Sequence, residues 1–256
     1  MHYFNKLTAS IIATLFLASC SSGGSSSSTQ TPTTPLPDKT PPPSIKPEPK
    51  PEATKTETGK YLKIVASNGA EKATTGSINS SNLDMLKIED KTIVISYPNI
   101  YAGTWTSIND TATCCGKTDY SKIGYYSDGP AMSYMFFNGD VTPEMPNSGI
   151  AEYNGYFLYR GANSAKGDLI DGTANYKADF VNKEFTGKLK ADSVSIGIQA
   201  NIEGNKLTGT AQSSLDSSKG IVSGGFYGPN AAEVAGMIEG TKAGKTEWTG
   251  VFNGKQ

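Results

Sequence analysis

Two adjacent cysteines, Cys114 and Cys115, are the residues of this chain best suited to covalent or metal chemistry. Neighbouring α-carbons lie about 3.8 Å apart across a trans peptide, which is closer than the usual separation in a disulfide, so a bond between them closes a strained ring. We predict a vicinal disulfide here. Two free thiols and a soft-metal site remain the alternatives. Cys20, the only other cysteine, is assigned below to lipid attachment.

Acid-base chemistry has little support in the rest of the chain. The only histidine, His2, lies in a segment that we expect to be removed, so the mature chain has no imidazole for general-base work, a serine triad or zinc ligation. Carboxylate pairs such as Asp168 with Asp171, or Glu89 with Asp90, are typical of solvated turns because glycine or lysine stands beside them. We therefore predict that the protein is not an enzyme, and has no catalytic residue and no bound metal.

The first twenty residues predict a secreted, lipid-anchored protein. Residues 7–17 carry no charge, are too few to span a bilayer, and are followed by Ala18, Ser19 and Cys20. This arrangement resembles the signal peptide of bacterial lipoproteins, so residues 1–19 are expected to be cleaved. The resemblance implies that Cys20 carries acyl chains, including palmitate, that hold the protein in the outer membrane with its folded part at the cell surface.

Residues 20–58 predict a disordered tether. Ser and Gly dominate its start, and nine of the fourteen prolines lie between Pro32 and Pro51. This composition cannot form a core. The proline-rich part favours an extended polyproline II conformation that could hold a folded head away from the membrane.

The mature chain, with residues 1–19 removed, carries a nearly balanced charge. Without Lys6 the chain has 22 basic and 24 acidic side chains, and Arg160 is the only arginine. Arginine supplies most of the forked contacts to phosphate and guanine, so we predict no binding to nucleic acid.

Residues 59–150 predict a β-rich first subdomain of four or five strands. Strand patterns cover residues 61–67, 120–126 and 131–138, and residues 83–97 resemble a hairpin that turns at 89–91. Residues 98–119 and 139–149 are expected to be long loops.

Residues 151–256 predict eight strands of regular spacing, at 151–160, 173–181, 184–191, 194–202, 206–213, 220–227, 233–239 and 246–253. Eight strands suit a small closed antiparallel barrel, in which closure removes exposed strand edges. An open sandwich of the same strands is the alternative.

Several apolar or aromatic side chains stand in expected loops or at strand ends, where solvated positions would not need them. Such residues are enriched at protein interfaces. Phe136 and Phe137 cannot both face the core of a simple strand, so one is expected at a contact surface or in packing between the subdomains. The candidate residues for binding a host protein are Tyr101, Trp105, Tyr125, Tyr126, Phe136, Phe137 and Met145.

Four segments of the predicted barrel resemble successive motifs of the transferrin-binding protein B-like surface lipoproteins. They are residues 151–161 (AEYNGYFLYRG), 178–189 (ADFVNKEFTGKL), 202–209 (IEGNKLTG) and 224–236 (GGFYGPNAAEVAG). The family includes the haemoglobin-haptoglobin utilisation lipoprotein, factor H-binding protein and haemophilin-like proteins. The resemblance implies a β-rich handle over residues 59–150 followed by an eight-stranded barrel over residues 151–256.

The resemblance also implies partners. Family members are exported by an outer-membrane translocator, and those that acquire iron work beside a TonB-dependent receptor. This chain has the length of one lobe, whereas transferrin receptors have two, so the expected ligand is haemoglobin or another haem or iron carrier. Binding of the complement regulator factor H is the alternative. A third alternative is direct haem binding through a tyrosine, because the mature chain offers no axial histidine; no other cofactor is expected.

Overall fold

The structure is a computed structural model that describes residues 56–67, 70–80, 82–97, 100, 105–114, 118–161, 169–191, 194–215 and 219–256. Across these residues the regular structure is β-strand, apart from one 3₁₀ turn at Pro229–Ala231. The strands are β1 (Gly59–Ser67), β2 (Ala70–Ile78), β3 (Met85–Ile88), β4 (Lys91–Val94), β5 (Trp105–Ile108), β6 (Thr111–Cys114), β7 (Ser121–Ser127), β8 (Met132–Gly139), β9 (Ile150–Gly161), β10 (Ile170–Asp179), β11 (Glu184–Ala191), β12 (Val194–Glu203), β13 (Lys206–Ser213), β14 (Lys219–Tyr227), β15 (Glu233–Lys242) and β16 (Lys245–Lys255).

The predicted all-β fold, with a β-rich handle and a closed eight-stranded antiparallel barrel, is confirmed. Six handle strands form one antiparallel sheet in the order β2-β1-β8-β7-β6-β5, which we call the handle sheet. Strands β3 and β4 form a separate two-stranded hairpin. The barrel closes in the order β10-β11-β12-β13-β14-β15-β16-β9.

Side chains fill the barrel interior because inward and outward positions alternate along each strand. Strand β12 shows the pattern clearly, with Ile196, Ile198, Ala200 and Ile202 buried and the alternate residues between them exposed. An eight-stranded barrel is just wide enough for such filling. The buried interior aromatic side chains are Tyr153, Phe157, Tyr159, Tyr176, Phe180, Phe185, Phe226, Trp248 and Phe252.

Glycines make room for the largest of these rings. A Cβ atom on Gly240 would lie 2.0 Å from Cε2 of Trp248, and one on Gly220 would lie 2.3 Å from its Cη2. The indole also stacks on Tyr159, with 6.4 Å between ring centroids. The glycines in these strands are therefore part of the aromatic packing.

An apolar layer joins the handle sheet to the barrel wall. It contains Leu62, Ile64, Ile123, Met135 and Phe137 from the handle and Leu158, Tyr227, Ala235, Met237 and Val251 from the barrel. The second face of the handle sheet packs under the β3–β4 hairpin, where Leu86, Ile88, Ile93 and Ile95 cover Tyr134 and Phe136. Strand β8 is thus covered on both faces.

Polar contacts fix the same two parts together. Arg160 of β9 pairs with Glu71 of β2 through both of its terminal nitrogens, at 2.6 and 2.5 Å. Glu233 of β15 is fully buried and accepts hydrogen bonds from the amides of Asp119 and Tyr120 and from the hydroxyl of Ser121.

Three handle strands were missed by the sequence prediction. The expectation of a loop over residues 98–119 is wrong for β5 and β6, which pair with each other across a turn at Asn109 and Asp110. Both turn residues have positive φ, at 43° and 54°, as a type I′ hairpin turn requires. Strand β2 was missed because its Glu-Lys-Ala-Thr-Thr-Gly-Ser core lacks large apolar residues.

Candidate docking surface

The predicted binding residues separate into different environments. Tyr101, Cys115 and Cys20 lie outside the described residues, and Cys114 ends β6 without a described side chain. The disulfide and the lipid attachment therefore stay predictions. The other six candidates, Trp105, Tyr125, Tyr126, Phe136, Phe137 and Met145, are described and do not form one cluster.

Neither Phe136 nor Phe137 lies at a contact surface, and the alternative of packing between the subdomains holds for Phe137. The two side chains point to opposite faces of β8, and they are 0% and 3% exposed. Phe136 packs under the β3–β4 hairpin, and Phe137 packs between the handle sheet and the barrel. Both can be buried because this strand is covered on both faces, so neither ring is exposed to a partner.

Trp105, Tyr125 and Met145 are half-buried. Trp105 and Tyr125 pack against the apolar layer between handle and barrel, and Met145 packs against the barrel core. The indole nitrogen of Trp105 is buried without a hydrogen-bond partner among the described residues. These three side chains support the contact between handle and barrel.

Tyr126 belongs to a cluster on the handle face that points away from the barrel. This face carries Tyr61 and Val65 of β1, Tyr126 of β7, and Met132 and Tyr134 of β8, which we call the tyrosine patch. The Tyr134 ring lies 6.1 Å from that of Tyr61 and 6.2 Å from that of Tyr126, measured between centroids. Tyrosine and methionine are enriched at the centres of protein interfaces, so this composition suits protein docking.

The charged rim of the tyrosine patch centres on Glu89. Its carboxylate accepts a 2.7 Å hydrogen bond from Nζ of Lys63 and a 3.3 Å hydrogen bond from the hydroxyl of Tyr134. The Lys63 ammonium also lies 5.9 Å from the Tyr134 ring centroid, within range of a cation–π contact. Glu89 has φ of 54° in the β3–β4 turn, a conformation that glycine or asparagine adopts more readily.

The surroundings of this rim raise the pKa of two of the three tyrosines. Burial, followed by the nearby charge of Glu89, raises the pKa of Tyr61 and of Tyr134. The hydrogen bond to Glu89 raises the pKa of Lys63. A second rim pair joins Lys91 to Asp128 at 3.1 Å. The tyrosine patch therefore lies between charges that pair with one another.

Sequence reasoning found Tyr126 but missed its neighbours. Tyr61, Met132 and Tyr134 stood in predicted strands and were not proposed as contact residues. The handle sheet carries large apolar residues on both faces, and the β3–β4 hairpin covers only part of the outer face. The sequence alone does not reveal which outer-face residues the hairpin leaves uncovered.

Other sites have less support within the described residues. No group of three or more histidine, cysteine, aspartate or glutamate side chains there could hold a metal ion. The interior phenol of Tyr153 donates to the carbonyl of Ala231, and that of Tyr176 is buried without a hydrogen-bond partner. No helix in this part of the chain is long and apolar enough to cross a membrane.

Known proteins share this architecture. The family described as "C-lobe and N-lobe beta barrels of Tf-binding protein B" matches residues 145–256. Transferrin-binding protein B of Neisseria meningitidis serogroup A is 30% identical over 198 residues, which cover 67% of this chain and 26% of that protein. The chain belongs to the transferrin-binding protein B-like family. This is a family of binding proteins, and the resemblance seen in the sequence is confirmed.

The likeness extends into the handle. The solved structure of intact Ap-TbpB, with N and C lobes, is 25% identical with a TM-score of 0.57, over 78% of this chain and 46% of that one. An uncharacterized protein of Haemophilus influenzae (strain ATCC 51907 / DSM 11121 / KW20 / Rd) is 34% identical over 197 residues, covering 69% of this chain and 67% of that protein. The chain thus spans about a quarter of the matched transferrin-binding protein B and less than half of the two-lobed structure.

Proposed function

We propose that this protein is a non-enzymatic surface lipoprotein that binds a host iron-carrying protein, haemoglobin or transferrin, for iron acquisition. The tyrosine patch carries the proposal, because it places half-buried tyrosine and methionine side chains on the outer face of a handle joined to a family barrel. Tyr61, Val65, Tyr126 and Met132 are the members that keep part of their surface open to solvent.

The filled barrel supports docking on the outside of the molecule. Tyr153, Tyr159 and Tyr176 lie among other rings of the interior, where a phenol oxygen has little access to a haem iron. The same packing makes direct haem carriage the weaker alternative. A bound carrier protein would keep its own haem or iron and would need only a complementary surface.

The anchoring and delivery steps complete the proposal. Acyl chains on Cys20 would hold the protein in the outer membrane, and the tether would lift the folded part from it. A translocator would bring it to the cell surface. The captured carrier would be passed to a TonB-dependent receptor, which removes the iron or haem.

Binding to purified carriers tests the proposal. The full lipoprotein, solubilised in detergent, is immobilised, and human haemoglobin, diferric transferrin and factor H are passed over it. We expect saturable binding of haemoglobin or transferrin with a Kd of roughly micromolar or tighter, as for a specific protein pair. Capture from whole blood compared with plasma provides an independent check, since haemoglobin is concentrated in red cells.

Other outcomes redirect or overturn the proposal. Binding of factor H alone would favour the complement-regulator alternative. A sharp Soret shift on adding haemin, abolished by one Tyr→Phe substitution, would favour direct haem carriage. Failure of haemoglobin and transferrin to bind would overturn the iron-carrier function.

A further inference from the structure

The barrel wall formed by β10, β11, β12, β13 and the first half of β14 carries four exposed lysines. The apolar layer that joins handle and barrel draws its barrel side chains from β9, β15, β16 and the end of β14, so this wall lies outside it. Inward and outward positions alternate along these strands, and the outward ones are open to solvent. The lysines at outward positions are Lys177, Lys188, Lys190 and Lys219.

Strand register brings these lysines together. One row of outward positions crosses all five strands, through Asn175, Lys188, Gly197, Gln212 and Lys219. The row on one side of it contains Lys177, and the row on the other side contains Lys190. We call these three rows the lysine face. The lysines stand on separate strands, so the sequence shows no basic run at this place.

The lysine face carries positive charge without a compensating carboxylate. None of its four lysines forms an ion pair within the part of the chain that the structure describes. The acidic side chains that border it, Asp171, Asp179, Glu184 and Glu239, lie outside its three rows. The whole chain has a formal net charge of −1, so this concentration of positive charge is local. It points to an anionic ligand.

A groove at the centre of the lysine face offers the ligand a place to lie. Gly197 contributes no side chain to it, and an added Cβ atom there would meet nothing within 4 Å. The groove has a volume of about 400 Å³ and is bordered by Thr186, Gln199, Thr210 and Lys219. An adjoining groove of about 410 Å³ shares the first three of these side chains. The two grooves therefore form one extended channel lined by hydroxyl and amide groups.

We propose that the lysine face binds an acidic polysaccharide. Its carboxylate or sulfate groups pair with Lys188 and Lys219, and its sugar hydroxyls form hydrogen bonds with the polar side chains of the channel. The Cα atoms of the two lysines are three strands apart, roughly 14 Å at about 4.8 Å per strand, a separation that suits an extended chain of sugars. This binding is independent of the carrier-binding function proposed above.

Two other anionic partners fit the lysine face less well. Nucleic acid is bound through arginine forks and through aromatic side chains that stack on bases, and the three rows contain neither. Protein interfaces are centred on tryptophan, tyrosine and arginine, and Ile221 is the only large apolar side chain in these rows. Lysine charges beside hydroxyl and amide groups match a polysaccharide better.

Retention on immobilised polysaccharides tests the proposal with the full lipoprotein in detergent. Heparin, which carries sulfate and carboxylate groups, is the acidic probe, and dextran is the neutral control. We expect heparin to bind the protein and the binding to weaken as salt is added, because exposed charges are screened. Dextran should not bind. Equal binding to both polysaccharides, or no binding to heparin, would overturn the proposal.

Two double variants locate the site. Lys188→Gln with Lys219→Gln should weaken heparin binding roughly tenfold, the effect of losing two exposed ion pairs. Lys72→Gln with Lys87→Gln makes the same change of charge at two exposed handle lysines and should bind heparin as the wild type does. Equal losses in the two variants would mean that only net charge matters, and the lysine face would be wrong.

A Gly197→Leu variant separates the groove from the charge. It keeps every lysine and places a side chain in the groove, at a position where the Cβ atom meets no neighbour. We expect a loss of heparin binding at least as large as that of the Lys188 and Lys219 variant, with an unchanged melting temperature. Unchanged heparin affinity in a folded Gly197→Leu variant would overturn the groove as the binding site.

A further comparison identifies the source of the polysaccharide. Acidic polysaccharide extracted from the surface of the same bacterium is tested beside heparin. Stronger binding of the bacterial material would assign the ligand to the cell's own envelope, whereas stronger binding of heparin would assign it to host glycans. Both results keep the lysine face as the site. Carrier binding should be unchanged in the Lys188 and Lys219 variant, because the tyrosine patch lies on the handle.

Discussion

The carboxylate of Glu233, the first residue of barrel strand β15, accepts a 2.7 Å hydrogen bond from the hydroxyl of Ser121, the first residue of handle strand β7. The other Glu233 oxygen accepts the amide of Asp119 at 2.7 Å. The side chain is fully buried, so these donors replace the water that a carboxylate would otherwise need. Handle and barrel are therefore fixed to each other by a buried charge as well as by apolar packing.

Replacement of Glu233 should destabilise the whole fold. Glu233→Gln puts an NH₂ group where one oxygen accepts hydrogen bonds, so at least one donor loses its acceptor, and we expect a loss of about 1–3 kcal/mol in the free energy of unfolding. Urea denaturation measures it. Glu184→Gln, at the exposed start of β11, is the matched control and should change stability by less than about 0.5 kcal/mol. Equal effects of the two substitutions would contradict the buried role of Glu233.

Two glycines of the barrel should respond in opposite ways to an added methyl group. Gly240→Ala places a Cβ atom in the Trp248 indole, and we expect a loss of roughly 1–3 kcal/mol from overpacking. Gly197→Ala meets nothing within 4 Å and should be neutral or slightly stabilising. Thermal melts of the two variants compare them directly. A neutral Gly240→Ala would mean that the indole is not held in this position.

Truncation of the tyrosine patch should weaken carrier binding without loss of the fold. Tyr126→Ala removes a half-buried ring that stacks on Tyr134, and we expect roughly tenfold weaker binding or more, as for an interface hot spot. Ile221→Ala, on the barrel wall where the side chain is 65% exposed, is the control and should bind normally. Affinity and melting temperature are measured together. Unchanged affinity for Tyr126→Ala would exclude the tyrosine patch as the contact surface.

The stability should fall in alkaline solution, partly through Tyr153. Burial raises the pKa of Tyr153 to about 12, against a usual value of 10.0. Because the folded pKa is the higher one, the contribution is fully present below pH 10 and is lost as the pH rises towards 12. It amounts to at most about 3 kcal/mol for two pKa units. Denaturation of the wild type and of Tyr153→Phe between pH 10 and pH 12 measures this contribution to the free energy of unfolding. A variant with the same alkaline loss as wild type would contradict the assignment.

The barrel could be predicted from the sequence because its strands carry strong periodic signals. Alternation such as that of Ile196 and Ile198 in β12, with polar or glycine-containing turn residues between the strands, identified all eight elements. The strands of the handle were harder to predict, since β2 is an edge strand whose exposed positions need no apolar residues. The hairpin of β5 and β6 has only four residues in each strand, and its best signal was Asn109-Asp110 at the turn.

The candidate surface could be predicted only in part. Whether a strand residue is exposed depends on which face of the strand is covered by another element. Adjacent residues Tyr125 and Tyr126 look equivalent in the sequence, yet one packs towards the barrel and the other faces outward. Phe136 and Phe137 are also adjacent and look equivalent in the sequence. Both are buried, because both faces of β8 are covered at this point. Long-range contacts of the β3–β4 hairpin decide these cases, and no local pattern encodes them.

The chain has two tryptophans, and the fold puts one in each half: Trp105 in the handle and Trp248 inside the barrel. Each indole is therefore an intrinsic fluorophore for its own part of the molecule. Single-tryptophan variants would give separate emission signals during denaturation. Coincident transitions would demonstrate that handle and barrel melt as one cooperative unit.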